Sequence, residues 1–473
     1  MNLLDFMFDF LYNILVTNDI SLFLRRCDMD IQRKAYQTLS AWKASSEKSK
    51  AILIKGARRV GKSYLAELFA KNEYSSYILI DFASPLAGTE KIFEEYGNAG
   101  SLDDFFNQLS VLYGTPLQAG KSCFIFDEIQ KYPKARELVK YLVADGRYDF
   151  IETGSLISIK KNTRDIVIPS EEDELLLYPL DFEEFLSAIS DTVTIPFLRE
   201  KYEAGEPLGN MLRPVMNKFR TYMLVGGMPM VVAEYAESAN IDQVERIKRG
   251  ILKLYREDIA KYAENYVAQA TAIFDSIPSM LAHHDKKIKY SSLGAGDRSS
   301  RYSDAIFWIK DSMVGNICYG TDAPDRFGGF TLQESTIKCY MGDTGLLMTL
   351  AAGADYLKSE LYKSFMAGRL SVNKGMMTEN IISQMLTANG HQLHFFETIS
   401  DERKKYEVDF LITEDNKTTP IEVKSGKNKE HPSLDYYNKK YKKETKKGIV
   451  LTRGDLQITD DYRILPLPMA CFL

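Results

Sequence analysis

Ala51 to Lys71 read AILIKGARRVGKSYLAELFAK, and the order of features in this stretch decides the fold. Ala51 to Ile54 form a short apolar run of strand type, while KSYLAELFAK has its apolar residues at helical spacing. Between them Gly56 to Ser63, GARRVGKS, fit the pattern G-x-x-x-x-G-K-[ST]. A strand, a glycine-bearing loop and a helix N-terminus together make a phosphate cradle, because loop N–H groups and the positive helix end both face the anion. The expected nucleotide contacts are Gly56, Ala57, Arg58, Arg59, Val60, Gly61, Lys62, Ser63 and Tyr64. Lys62 is expected to reach the β and γ phosphates, and the Ser63 hydroxyl to ligate magnesium. ATP and Mg2+ are therefore the expected cofactors.

Downstream, CFIFDEIQ is an apolar strand, Cys123 to Phe126, that ends in Asp127 and Glu128. A carboxylate at the C-terminal end of a parallel strand lies beside the phosphate loop. Asp127 is expected to hold magnesium, directly or through water, and Glu128 to polarise the attacking water as general base. YDFIETGS brings a third strand to Thr153 and Ser155. Either hydroxyl can orient water and γ phosphate, and either can equally belong to a turn that caps the next helix. With SYILIDF as a further strand, strands alternate with helices, which predicts an α/β fold with a doubly wound parallel sheet.

The 473 residues suggest roughly three domains at about 150 residues each. A hydrophobic share of 45% and a charged share of 26% are those of an ordinary globular chain. The net charge of −5 excludes a chain-wide basic coat for nucleic acid. Five scattered cysteines with no C-x-x-C pair argue against a disulfide framework and a thiolate zinc site, and for a reducing, cytoplasmic setting. Asp5, Asp9 and Asp19 interrupt the apolar start, so neither a signal peptide nor a spanning helix of roughly 20 residues is expected there.

The ordered series IQRKAY, AILIKGARRVGKS, YILIDF, FIFDEIQ, FIETGS, YPLDFEEF, YMLVGGMP, LYREDIAKY, IKCYMGDTGLL, MTENIISQML, YEVDFLI and PIEVKSGK resembles a large family of microbial AAA-type ATPases. That family carries a C-terminal domain related to PD-(D/E)XK restriction endonucleases. The resemblance begins near Ile31, so residues 1–28 are read as an accessory helix, or as a stretch upstream of a start at Met29. It implies an N-terminal extension over 1–30, a P-loop ATPase core over 31–190, a helical lid over 191–270, a winged-helix-like segment over 271–345 and a nuclease-like α/β domain over 346–473. In Lys289 to Tyr319 the pattern reads as a helix, a turn and a second helix, with Ile306, Ile309 and Val314 on its apolar face. Many members have a Gly-Arg pair before YPLDFEEF, where this chain has IPSEEDELLLYPL, so an arginine finger is not placed there. Arg58, Arg59, Arg147 and Arg164 are the alternatives, with a second subunit of a homo-oligomer as another source.

In the C-terminal part YEVDF and PIEVKSGK are strand-like runs separated by a polar turn. Alternation puts Glu422 and Lys424 on one face, with Asp409 beside them on the neighbouring strand. Two carboxylates and a lysine can hold a divalent ion and orient water for phosphodiester hydrolysis. The spacing D-x12-E-x-K matches the restriction-endonuclease pattern, and Glu379 in MTENIISQML matches its upstream acid. Glu379, Asp409 and Glu422 are thus the expected metal ligands and Lys424 the catalytic lysine. From Lys427 to Lys447 eight lysines face three acids, interleaved with Tyr436, Tyr437 and Tyr441. Such a segment suits a DNA backbone and equally a solvated face. Two functions stand as expectations: an ATPase controlling a nuclease-like domain that acts on or binds nucleic acid, or a nucleotide-driven switch whose C-terminal domain binds DNA or protein without cleaving. His283-His284 and His391-x2-His394 lack a third ligand and are read as surface or packing residues.

Overall fold

The computed structural model describes residues 31–45, 50–97, 100–155, 170–283, 286–288, 302–324, 329–353, 374–400, 403–424 and 430–473. The expected N-terminal extension lies outside these residues. The first layer is built on five parallel strands: β1 (Ala51–Gly56), β2 (Ser76–Asp81), β3 (Ser122–Asp127), β4 (Asp149–Gly154) and β5 (Glu172–Leu177). Their order across the sheet is β2-β3-β4-β1-β5. Ile52 and Ile54 face one side, with α1 (Lys34–Ala44) and α2 (Lys62–Glu73) packed on them through Leu39, Leu65 and Phe69. Ala51 and Leu53 face the other, where α3 (Thr89–Gly97), α4 (Leu102–Leu112) and α5 (Pro133–Asp145) supply Phe93, Phe105 and Val139. A strand whose two faces are both covered must be apolar throughout, and β3 is buried at all six positions. β5 is an edge strand and starts with Glu172, Asp173 and Glu174, charges that an edge accommodates. Glu172 forms a buried pair with Arg136 at 2.6 Å.

The chain then folds into α6 (Phe182–Ala188), α7 (Thr194–Ala204), α8 (Leu212–Val225), α9 (Pro229–Ser238), α10 (Ile241–Tyr262) and α11 (Val267–Ala282). Residues 289–301 lie outside the described residues, and the next helix is α12 (Ser303–Asp311), with Ile306 and Ile309 buried as expected. It ends at Asp311, before the expected Val314. Met313 adopts φ 55°, and a Cβ on Gly315 would lie 2.6 Å from Ile309 Cγ2, so the chain turns back tightly and leaves as strand β6 (Gly315–Pro324).

β6 pairs with β7 (Phe330–Met341), and after α13 (Thr344–Ala352) and α14 (Lys374–Ala388) come β8 (His394–Ile399), β9 (Lys405–Glu414) and β10 (Lys417–Val423). The remaining elements are α15 (Pro432–Lys440), β11 (Gly448–Thr452), β12 (Gln457–Ile458) and β13 (Tyr462–Pro466). All eight strands belong to one sheet, ordered β12-β13-β11-β10-β9-β8-β6-β7. Tyr319 to Thr321 on β6 pair with His394 to Phe396 on β8, so the sheet runs across the expected boundary at 345/346. One apolar core also joins α6 to α11, α13, α14 and the inner sheet face. The β9–β10 hairpin closes through Asp415 and Asn416, both with positive φ, as a two-residue turn requires.

Two motifs of the sequence meet where the turn between α8 and α9 packs on the turn after β7. Gly226 ends α8 with φ 86°, and Gly227 N donates to the buried Asp343 at 2.6 Å. A Cβ on Gly227 would lie 2.2 Å from Leu180 O, and one on Gly345 2.4 Å from Val225 O. The sequence reading of Gly226 and Gly227 as a helix stop accounts for the cap and misses this close crossing. Gly227→Ala should therefore lower stability by about 3 kcal/mol. Gly250 is an exposed position of α10 with no atom near its would-be Cβ, and Gly250→Ala should raise stability by about 1 kcal/mol. Urea unfolding of the two variants tests both signs at once.

Candidate active sites

Gly56, Ala57, Arg58, Arg59, Val60, Gly61, Lys62, Ser63 and Tyr64 lie in one loop and the first turn of α2, at the C-terminal edge of the parallel sheet. A Cβ on Gly56 would lie 2.4 Å from Leu177 O, and Gly61 has φ 96°, so both glycines are required by the backbone. The buried Lys62 ammonium donates to Gly56 O at 3.0 Å and Ala57 O at 3.1 Å. Burial lowers its pKa, against Glu128 and Asp127, which raise it. A phosphate would take the place of these two carbonyls as the partner of Lys62.

Ser63 Oγ donates to Asp127 Oδ1 at 2.6 Å, and Thr153 Oγ1 donates to the same oxygen. Glu128 N in turn donates to Thr153 Oγ1 at 3.2 Å. Burial raises the pKa of Asp127, opposed by these two hydroxyls. A serine hydroxyl and a carboxylate in contact are a hard oxygen donor set, and they fit Mg2+. Glu128 sits in left-handed backbone at φ 53°, held beside this pair, and Gln130 donates to its carboxylate. Thr153 is thus joined to Asp127 and Glu128, whereas Ser155 is half-buried just past the end of β4, outside this chain of bonds.

Three residues that the sequence reading did not single out complete the loop's surroundings. Arg33 donates to Val60 O and to Tyr178 O, at 3.1 and 2.6 Å. Asp258 accepts from Arg58 at 2.6 Å, and Tyr255 OH donates to Arg58 O at 3.2 Å, so α10 rests on the phosphate loop. LYREDIAKY contains both Tyr255 and Asp258, and their spacing on one helix face was the available signal. Of the arginine candidates, Arg58 is engaged by Asp258 and Arg59 is exposed. Arg147 precedes β4, at the opposite end of the sheet, where it pairs with Asp103 and Asp145, so it does not reach this site. Arg164 lies outside the described residues.

In the C-terminal part the pairing of Ile421 with Phe410 puts Glu422 next to Asp409. Lys424 Nζ pairs with Glu422 Oε1, and Val423 N donates to Asp409 Oδ2 at 2.8 Å. Glu379 is buried on α14, where it accepts from Lys286 and from Tyr340 OH. Burial and then Asp409 raise the pKa of Glu379, against Lys286 and Lys338. Burial likewise raises that of Glu422, against Lys424. The structure therefore brings Asp409, Glu422 and Lys424 together and couples Glu379 to Asp409, but each carboxylate already has an internal partner. Among the described residues no group of three or more His, Cys, Asp or Glu is arranged to hold a metal ion. Lys286 and the fully buried Lys338, paired with Glu407 at 2.6 Å, come from segments far from these acids in sequence, which hid them from motif reading.

The interleaved tyrosines have packing roles. Tyr437 is buried against Phe396, and Tyr436 stacks on Tyr406 at 4.2 Å. Lys439, Lys440, Lys442, Lys443 and Lys447 remain exposed around the C-terminal end of α15. His394 packs on Phe330. Among the described residues no helix is long and apolar enough to cross a membrane.

Residues 48–186 match AAA_14, an AAA domain, so this part of the chain is an AAA-type ATPase domain. Residues 216–356 match a domain of unknown function, DUF8612, and residues 374–472 another, DUF4143. Among curated proteins the chain finds no match. Among solved structures it is similar to a Walker-type ATPase of Pyrococcus abyssi, at 16% identity over 68% of this chain and 95% of that one, with a TM-score of 0.40. The ORC1 protein of Aeropyrum pernix in complex with DNA matches at 14% identity over 68% and 92%, with a TM-score of 0.27. The Drosophila ORC bound to DNA matches at 12% over 71% and 95%, also with a TM-score of 0.27.

Proposed function

We propose that this chain is a magnesium-dependent ATPase whose nucleotide state controls its C-terminal module, and that this module is nuclease-like and acts on or binds nucleic acid. One observation carries the reading: a continuous series of contacts joins the phosphate loop to the C-terminal carboxylates. Asp258 and Tyr255 of α10 bind Arg58 of the loop, and Lys248 of the same helix donates to Leu224 O at 2.9 Å. Three residues on, Gly227 is bonded to Asp343, in the turn that leads into α13. On the same turn Met341 N and O are both engaged by Asn380, at 2.8 and 3.1 Å, while Gln384 binds Thr344 N and Tyr222 OH. Glu379 is the neighbour of Asn380 on α14. Closure of the lid on ATP would thus act on the helix that carries Glu379.

In this reading Ser63 and Asp127 would hold Mg2+, which supplies charge stabilisation on the phosphates when bound. Lys62 binds the phosphates, Glu128 takes the proton from water and Thr153 keeps the two acids in register. The exposed lysines near the end of α15 suit a phosphate backbone, as a local basic surface on an acidic chain.

The alternative, a module that binds without cleaving, is favoured by the ion pairs of Glu379 with Lys286 and of Glu422 with Lys424. Linear, circular and single-stranded DNA incubated with Mg2+ or Mn2+, with and without ATP, separates the two. Cleavage that falls at least 100-fold in Asp409→Ala and in Lys424→Ala is the expected result. DNA-stimulated ATP hydrolysis without cleavage establishes the alternative instead.

A further inference from the structure

His431 stands immediately before α15, outside the D-x12-E-x-K pattern and outside both histidine pairs noted in the sequence. Its side chain is 9% exposed, and its Nδ1 lies 4.0 Å from Glu422 Oε2, on a side chain 8% exposed. Neither atom has a hydrogen-bond partner among the described residues. The other Glu422 oxygen is held by Lys424, and the His431 ring is set edge-on to Tyr462, with centroids 5.6 Å apart. Two buried polar atoms therefore face each other across a gap too wide for a direct bond. Buried groups left in this way are costly, and they mark a place that a further atom completes.

We propose that His431 Nδ1 and Glu422 Oε2 together hold a first-row transition-metal dication that accepts an imidazole nitrogen, Mn2+ included, as a site within the C-terminal carboxylate cluster. This inference rests on the nuclease-like reading of that cluster and adds to it a ligand and a metal class. With its proton on Nε2, the imidazole offers Nδ1 as a lone-pair donor. An imidazole beside a carboxylate favours Mn2+, Co2+ or Zn2+ over Mg2+ and Ca2+, whose preferred ligands are oxygens alone. Two protein ligands are few for a resident structural ion. They suit an exchangeable one that fills its shell with water and phosphate oxygens, with Asp409 next to Glu422 in the strand register. Lys424 then has a second role, fixing the Glu422 carboxylate so that one oxygen points at His431.

The test uses the full chain without nucleotide, titrated with Mn2+ and read by electron paramagnetic resonance, with pulsed measurement of nitrogen coupling. The phosphate loop contains no imidazole, and loss of the nitrogen coupling in the His431 variants separates this site from the four other histidines of the chain. Wild type should show coupling to one imidazole nitrogen. His431→Ala, the volume-keeping His431→Gln, and Glu422→Gln should each lose it and bind Mn2+ at least ten-fold more weakly, with far-UV circular dichroism and melting unchanged. Mn2+ lost on Glu422→Gln, but without nitrogen coupling in wild type, overturns the role of His431 and leaves the nuclease-like reading intact. Mn2+ binding unaltered in all three variants overturns both.

Discussion

Lys62→Ala should bind ATP at least 100-fold more weakly than wild type, whereas Glu128→Gln should bind it normally and turn it over 100-fold or more slowly. The two residues differ in what they face. Lys62 is the buried ammonium of the phosphate loop, and with phosphate bound it would form charge-assisted hydrogen bonds. About 3 kcal/mol lost at this point is roughly a hundred-fold in Kd. Removing it should do little to the empty fold, because its partners there are two loop carbonyls and burial already opposes its charge. Without nucleotide the melting temperature of Lys62→Ala should therefore match wild type, and only the rise on adding ATP should vanish. Glu128 instead acts on the attacking water, a step worth about 10² to 10⁴ in rate for a positioned base. Its backbone is fixed by Thr153, so the glutamine should stand where the acid stood. Equal ATP hydrolysis in all three proteins would overturn the assignment.

How local each signal is decides how far it could be read in advance. β1 to β4 are short apolar runs between turn residues, and the loop after β1 carries its chemistry in eight consecutive residues, so strand, loop and helix were all visible. β5 was not, because Glu172, Asp173 and Glu174 do not resemble a strand until the sheet edge and Arg136 are known. The helix expected to carry Ile306, Ile309 and Val314 ends at Asp311 for a related reason. Ile317, Cys318 and Tyr319 are apolar at any period, and only the tight turn before Gly315 and the pairing with β8 decide for a strand.

In the C-terminal part Asp409, Glu422 and Lys424 were legible because two paired strands convert a fixed spacing into proximity. Lys286, Lys338 and His431 were not, since each reaches the cluster through tertiary packing from another segment. Lys286 belongs to the stretch that follows α11 and meets Glu379 across 93 positions of sequence. Its pairing with an expected metal ligand makes the placement of that stretch a determinant of what that carboxylate can bind. The role of the tyrosines of the basic segment was not legible for the opposite reason. Their helical spacing is visible, but which of them the sheet buries depends on Phe396 and Tyr406, from strands on the other side of α15.

Asp343→Ala should cost about 3 to 5 kcal/mol of stability and separate the lid from the C-terminal sheet. The Asp343 carboxylate is fully buried and accepts from Gly227 N at 2.6 Å and from Leu346 N at 2.9 Å. Removing it strands two amide donors where water has no access, and each such group costs about 1 to 3 kcal/mol. Lys248, also fully buried, loses a nearby negative charge that supports its ammonium and keeps only Glu245 and Leu224 O. Asp343→Asn retains one acceptor oxygen but turns an NH2 group toward the second donor, so it should recover about half of the loss. Urea unfolding measures the total, and amide exchange locates it. Protection should fall first at Gly227 and Leu346, and then along α9 and α13, while β1 to β4 keep theirs. If the turn at Gly227 is the link between lid and sheet, the same variant should weaken the effect of ATP on the C-terminal module while ATP still binds. An Asp343→Ala protein as stable as wild type, with Gly227 still protected, would leave the contact without that role.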